Sequence, residues 1–173
     1  FEAAQDRARA ALSQAESLEL EGFRAEAHMV LGRALAEGGR YADAEEHLRL
    51  AVLGGTRSSH DEAAAEAAIA LVEVLGVRLD RHAEAMLWEA QALAMLDRIG
   101  EQGILRARLE NRAGRLDARR GETVAARTHF TAALSLRSKV RGADDPGRAA
   151  WMIDLGNVAL AEHAFDEAVD TFD

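Results

Sequence analysis

A chain of 173 residues is long enough for one ordinary domain and would bury roughly 70% of its unfolded surface if compact. Its core has to come mainly from Ala and Leu, because aromatics are only 5% of a composition that is 49% hydrophobic. A net charge of −9 repels phosphate backbones and excludes nucleic acid as a general partner, and the lack of cysteine excludes disulfides, thiolate metal sites and a cysteine nucleophile.

One proline, Pro146, and sparse, non-alternating Val, Ile and Thr leave little from which to build strands, so the class is all-α. In chain order the periodicity predicts helices over 1–19, 23–37, 41–53, 60–78, 81–99, 102–119, 122–140, 146–161 and 165–173. Loops are expected at Gly38-Gly39, Gly54 to Ser59, Gly100, Gly121, Gly142 to Asp145 and His163-Ala164. Ser59 or Asp61 is placed to cap the fourth helix, and Pro146 suits a first helical turn after Asp144-Asp145. The most apolar run, Ala67 to Val77, carries Glu73 and is too short to cross a bilayer. No signal peptide opens the chain, and the expected location is cytoplasmic. A start at Phe1 and an end at Asp173 inside an amphipathic pattern are expected of a fragment of something longer.

The helices repeat. Leu31-Gly32, Gly39, Tyr41, Ala44, Leu48 and Ala51 recur with the same steps as Ala113-Gly114, Gly121, Thr123, Ala126, Phe130 and Ala133. A third copy begins at Leu155-Gly156 and continues through His163, Phe165, Ala168 and Phe172. Anchor alanines Ala4, Ala44, Ala85, Ala126 and Ala168 are separated by 40, 41, 41 and 42 residues. The copy around Ala85 keeps Ala92 and Leu93 but has Glu73 where the others have glycine. Gly32 or Gly114 on a first helix and Ala44 or Ala126 on a second are small side chains where two axes cross closely. Bulky Tyr41, Leu48, Phe130, Phe165 and Phe172 fill the space between pairs, and each pair needs its neighbour to bury its apolar face.

The pattern Gly-x6-Gly-x-Tyr-x2-Ala-x3-Leu-x2-Ala over Gly32–Ala51 resembles the tetratricopeptide repeat family. The long period resembles the extended variety found in kinesin light chains and bacterial signalling proteins, as does Gly142-Ala-Asp-Asp-Pro146 followed by Leu155-Gly156-Asn157. The resemblance implies a right-handed α-solenoid of tandem antiparallel helix pairs, read as one repeat domain over 1–173. Residues 1–20 are then a second helix, 21–58, 59–99 and 100–141 full repeats, and 142–173 a truncated one. It also implies a non-catalytic scaffold that binds a protein or peptide in a concave groove lined by the first helix of each pair.

Catalytic and metal motifs are missing from the sequence. Gly54-Gly55-Thr56-Arg57-Ser58-Ser59 lacks the Lys-Ser or Lys-Thr of a phosphate loop and reads as an inter-repeat loop. His28, His47, His60, His82, His129 and His163 never pair at i+3 or i+4, so no helical metal site and no cofactor are expected. Trp88, on a face with Ala85, Ala92 and Met95, and Trp151, on a face with Leu155 and Val158, read as core; Phe23 reads as cover for the first repeat's edge.

One charge feature stands apart. Over 102–120, Arg106, Arg108, Arg112, Arg115, Arg119 and Arg120 face only Glu110 and Asp117. At 100° per residue Arg108, Arg112, Arg115 and Arg119 form one narrow stripe beside Leu105, Leu109, Ala113 and Leu116, with Asn111 bordering it. Guanidinium groups in a row suit carboxylates or phosphates; ion pairs to Glu62, Glu66, Glu73 or Asp154 on neighbouring first helices are the competing reading. By resemblance the stripe and Asn111 would face an acidic ligand. Arg108 and Arg112 resemble part of a clamp for a C-terminal carboxylate, but Met29 and Arg33 stand where its Lys and Asn would be, which argues against a chaperone-tail receptor. Asn157 matches an asparagine that many family members aim into the groove, and Met29, Arg33 and Ile153 would line the same side. Two rival roles remain open: the regulatory arm of a larger bacterial signalling protein, such as a Ser/Thr kinase or transcriptional regulator, and a homo-oligomer formed through apolar edges at Phe1 and Phe172.

Overall fold

The computed structural model describes residues 2–100, 103–142 and 144–172, without the side chains of Glu167, Asp170 and Phe172. The expectations placed on Phe1 and on the Phe172 ring therefore lie outside the described residues. The chain forms two compact units, Phe1–Ile99 and Gly100–Asp173.

The first unit holds α1 (Glu2–Ser17), α2 (Glu21–Glu37), α3 (Tyr41–Ser58), α4 (Asp61–Val72) continued as a π-helical segment over Glu73–Arg78, and α5 (His82–Ile99). The second holds α6 (Ile104–Arg120), α7 (Thr123–Arg141), a 3-10 turn over Pro146–Arg148, α8 (Ala149–Ala161) and α9 (Phe165–Phe172). Helix is thus the only regular element among the described residues, and α2–α3 and α6–α7 pack as the expected pairs. The anchors Ala44, Ala85, Ala126 and Ala168 are all buried, as the crossing argument requires; Ala4 instead is exposed and lines a cavity. A Cβ added at Gly32 would stand 2.7 Å from Leu48 Cγ, and one at Gly114 would stand 2.8 Å from the Phe130 ring, so these two glycines are the notches for those side chains.

A second regularity lies in the backbone. Glu19, Gly39, Ser59, Asp80, Gly100, Gly121, Gly142 and His163 all have left-handed φ, at intervals of 20 or 21 residues, which is half a repeat. Each sits just past a helix end, where the reversal lets following N–H groups return to otherwise unpaired carbonyls. The N–H of Leu20, Arg40, His60, Glu122 and Ala164 each donates to the carbonyl five residues back, at 2.8–3.0 Å. Arg81 donates instead to Leu75, six residues back. The π-helical segment explains the difference: the first helix of this pair runs from Asp61 to Arg78, one residue longer than the 17-residue α2 and α6, and the wider turn absorbs the extra residue. It does so where Glu73 replaces the expected glycine, with the carboxylate buried and paired to Arg78 at 3.0 Å.

Ser59 adopts this conformation without glycine's freedom, at φ 59° and with an exposed side chain. Ser59→Gly is expected to stabilise the first unit by about 0.5–1 kcal/mol, the relief of left-handed strain less the greater flexibility of unfolded glycine. Urea denaturation would measure it.

Several expectations need correction. Gly54 to Ser58 is not a loop: α3 runs through it, and only Ser59 turns. Neither Ser59 nor Asp61 caps α4; His60 occupies the cap position and makes no side-chain capping bond. Both tryptophans are half-buried rather than core, with Arg49 stacked 5.4 Å from the Trp88 ring centre and Arg137 4.5 Å from that of Trp151. Phe23 is 58% exposed. The region around Pro146 is as expected, with Asp145 accepting from Gly147 N–H at 3.1 Å and Pro146 opening the turn.

Candidate functional site

The candidate face in the second unit is built on α6 and α8, the first helices of successive pairs. The apolar stripe of α6 is buried as the periodicity demands: Leu105, Leu109, Ala113 and Leu116 are nearly inaccessible. This fixes the arginines on the remaining surface. Arg108, Arg112 and Arg115 are partly buried and Arg119 is exposed.

Asp154 of α8 is where the two helices meet electrostatically. Asn111 donates from Nδ2 to its Oδ2 at 3.2 Å, and Arg115 Nε lies 3.9 Å from its Oδ1. Asn111 is only 1% exposed. Its amide therefore braces α6 against α8 and is not presented to solvent, which corrects the expectation that it faces a ligand. The physical reason is its position about 70° from the centre of the arginine stripe, rotated toward the neighbouring helix. The competing reading of the arginines is thus realised at Arg115. Elsewhere on α6, Arg106 pairs with Glu110 at 3.3 Å, and Arg120 with Asp117 at 3.4 Å and Glu122 at 2.6 Å. Such partly exposed pairs are each worth about 0–1 kcal/mol, so they orient the guanidinium groups more than they stabilise the fold.

On α8, Ile153 is 52% exposed and Asn157 is exposed, so both present their side chains to solvent beside Asp154. In the first unit the sequence-derived positions divide. Met29 is buried and belongs to the packing of α2, a correction to its placement in a groove. Arg33 remains accessible and reaches Glu66 of α4 at 3.2 Å. Within this unit Glu66 is paired with Arg33 and Glu73 with Arg78.

A second accessible feature lies in the first unit, between α1 and α2. Ala8, Ala11, Ala15, Leu18, Phe23 and Val30 border a cavity of ≈640 Å³.

Two polar contacts escaped the sequence reading because it looked for histidine partners within one helix. His28 of α2 meets His47 of α3, Nδ1 to Nδ1, at 2.9 Å. His129 of α7 meets Glu110 of α6 at 2.8 Å through Nδ1, and its Nε2 lies 3.6 Å from Asp117 Oδ2. Both pairs are separated by 19 residues, and the second lies two repeats after the first. That recurrence was the available signal. The hydrogen bond from His129 holds the Glu110 carboxyl below its ordinary range, whereas burial pushes that of Asp117 up. No group of three or more His, Cys, Asp or Glu among the described residues is arranged to hold a metal ion, and no described helix is long and apolar enough to cross a membrane.

Comparison with known proteins bears on the fold and on its second unit. A tetratricopeptide repeat model matches residues 105–173. Among solved structures, BtubC (BKLC) from P. vanneervenii is similar with a TM-score of 0.78 and 23% identity, over 99% of this chain and 70% of that one. No curated protein matches. The structural likeness shows an all-α helical-repeat fold of the solenoid kind across nearly the whole chain. Residues 105–173 thus match the tetratricopeptide repeat family, and the described residues before them form antiparallel helix pairs of the same kind.

Proposed function

We propose that this chain is a protein-interaction module that takes an acidic segment of a partner protein on the α6–α8 side of its second unit. Tetratricopeptide repeats generally mediate protein–protein interaction, which supplies the class. The observation that carries the finer reading is the imbalance on α6, where six arginines accompany only Glu110 and Asp117 within a chain of net charge −9. A local positive field of this kind steers and orients carboxylates, and planar guanidinium groups hold them in two-point geometry. Exposed Ile153 and Asn157 on α8 add an apolar contact and an amide able to bond an extended peptide backbone. Arg115 beside Asp154 sets the edge of the site, and the ligand's carboxylates would lie along the stripe from Arg112 to the exposed Arg119.

Fluorescence anisotropy with a labelled Asp/Glu-rich peptide and a charge-reversed Lys-rich control tests this. The acidic peptide is expected to bind and the control not. Arg112→Glu combined with Arg119→Glu should weaken binding at least about tenfold, equivalent to ~1.4 kcal/mol, with an unchanged circular dichroism spectrum. Raising salt should weaken it further, because these are solvent-accessible charges. Equal affinity of the double variant and the parent protein would remove the α6 face from the account.

A further inference from the structure

The two 19-residue pairs occupy equivalent places in their repeats but carry different chemistry. Where α6 has Glu110 facing His129, α2 has His28 facing His47. The imidazoles of His28 and His47 are stacked, with ring centres 5.1 Å apart and planes 30° apart. His28 is 9% exposed and His47 is partly buried, so the contact lies within the α2–α3 interface.

A 2.9 Å contact between two Nδ1 atoms needs one proton between them: one ring donates its Nδ1–H and the other accepts through a lone pair. A proton added to the free Nε2 of the donating ring leaves that bond intact, since an imidazolium donor still faces a neutral acceptor. A second added proton has to occupy the accepting Nδ1. Both nitrogens then carry hydrogen and both rings carry charge, and the bond is replaced by repulsion.

We propose that His28 and His47 form an acid-released clasp that holds α2 against α3. The surrounding charges do not cancel the effect. Glu16 from α1 and Glu46 from α3 favour the charged form of His28, while Arg24 on α2 opposes it. Glu46 and Asp43 favour charge on His47, while Arg9 from α1 and Arg40 oppose it. On the α4 side, Glu66 is engaged by Arg33. Burial is the largest influence on both rings and lowers both, and His47 lowers His28 further by like charge. The sign follows from linkage. The free histidine value is about 6.5 and the folded values lie below it, so the clasp's stabilisation is complete above that pH and is lost as pH falls through the folded values. Because α2 also carries Arg33, release would alter that residue's setting against Glu66.

The test is an imidazole NMR titration of the full chain with amide exchange of α2 and α3 followed in parallel. His28 and His47 should titrate in two separated steps, both below the free value, and exchange corrected for its intrinsic pH dependence should accelerate by about tenfold per pH unit across the lower step. His28→Glu, which copies the Glu110–His129 arrangement, should remove that acceleration between pH 6.5 and 5, and His47→Phe, which leaves His28 buried but takes away the second charge, should reduce it. Titration of both rings together near the free value, or the same acceleration in His28→Glu and His47→Phe, would overturn the proposal.

Discussion

Phe130→Ala is expected to destabilise the second unit by about 3–5 kcal/mol, the range for removing a fully buried phenylalanine. The ring is 1% exposed and packs with Ala126 of its own helix and with Val158 and Leu155 of α8, while Gly114 of α6 opens the notch beneath it. One side chain thus joins three helices, and its removal leaves a cavity that three independently anchored backbones cannot collapse to fill. Phe130→Leu should cost much less, because the first unit solves the same problem with Leu48 over Gly32. The notch gives a matched control. Gly114→Ala places a methyl 2.8 Å from the ring and should cost about 1–3 kcal/mol alone, but less in the Phe130→Leu background. Urea unfolding followed by helical circular dichroism would measure all four proteins. A loss below 1 kcal/mol for Phe130→Ala would mean that the helix-pair contacts are not organised around this residue.

Gly55→Ala separates three readings by sign. A loop glycine would tolerate alanine with little change, and an ordinary helix-interior glycine would gain about 1 kcal/mol from the replacement. Gly55 is buried inside α3, and an added Cβ would lie 2.9 Å from the His60 carbonyl oxygen, 3.0 Å from Ala64 Cβ and 3.1 Å from Ala64 N. Backbone atoms on the opposite side cannot move aside as a flexible side chain would. The expected outcome is therefore a net loss of about 1–3 kcal/mol in the first unit, with the overpacking outweighing the gain in helix propensity. A stabilised variant would contradict the close approach of α3 and α4 at this point.

The period was legible in the sequence because small residues have to recur wherever two axes cross, and Ala44, Ala85, Ala126 and Ala168 report those crossings directly. What misled was local composition. Gly54-Gly55-Thr56-Arg57-Ser58-Ser59 has the look of a loop, yet tertiary packing of α3 on α4 needs Gly55 for closeness and not for turning. The residue that does turn is a serine, and three other helix ends likewise use Glu19, Asp80 and His163 in left-handed conformation, so glycine alone marks only half of the reversals. The π-helical segment after Val72 had no propensity signal; it follows from fitting one extra residue between turns whose places are set by packing.

The candidate face was legible to the level of helix faces. The stripe on α6 and the exposed residues of α8 are where the 100° spacing puts them, but partners on neighbouring helices cannot be assigned from spacing within one helix. Asn111 and Arg115 were drawn to Asp154, 43 and 39 positions further on, and the His28–His47 pair needed a search at 19. In a repeat protein, the informative separations are the half period and the full period, and polar partners are found there as readily as apolar ones.

The central claim, recognition of an acidic segment by the α6–α8 face, is tested most directly by amide NMR of the full chain during titration with an unlabelled Asp/Glu-rich peptide. Saturable shifts concentrated at Arg112, Arg119, Ile153 and Asn157, absent in the Arg112→Glu, Arg119→Glu protein, are the predicted result. Saturable shifts confined to α7 and α9, or to the first unit, would contradict it.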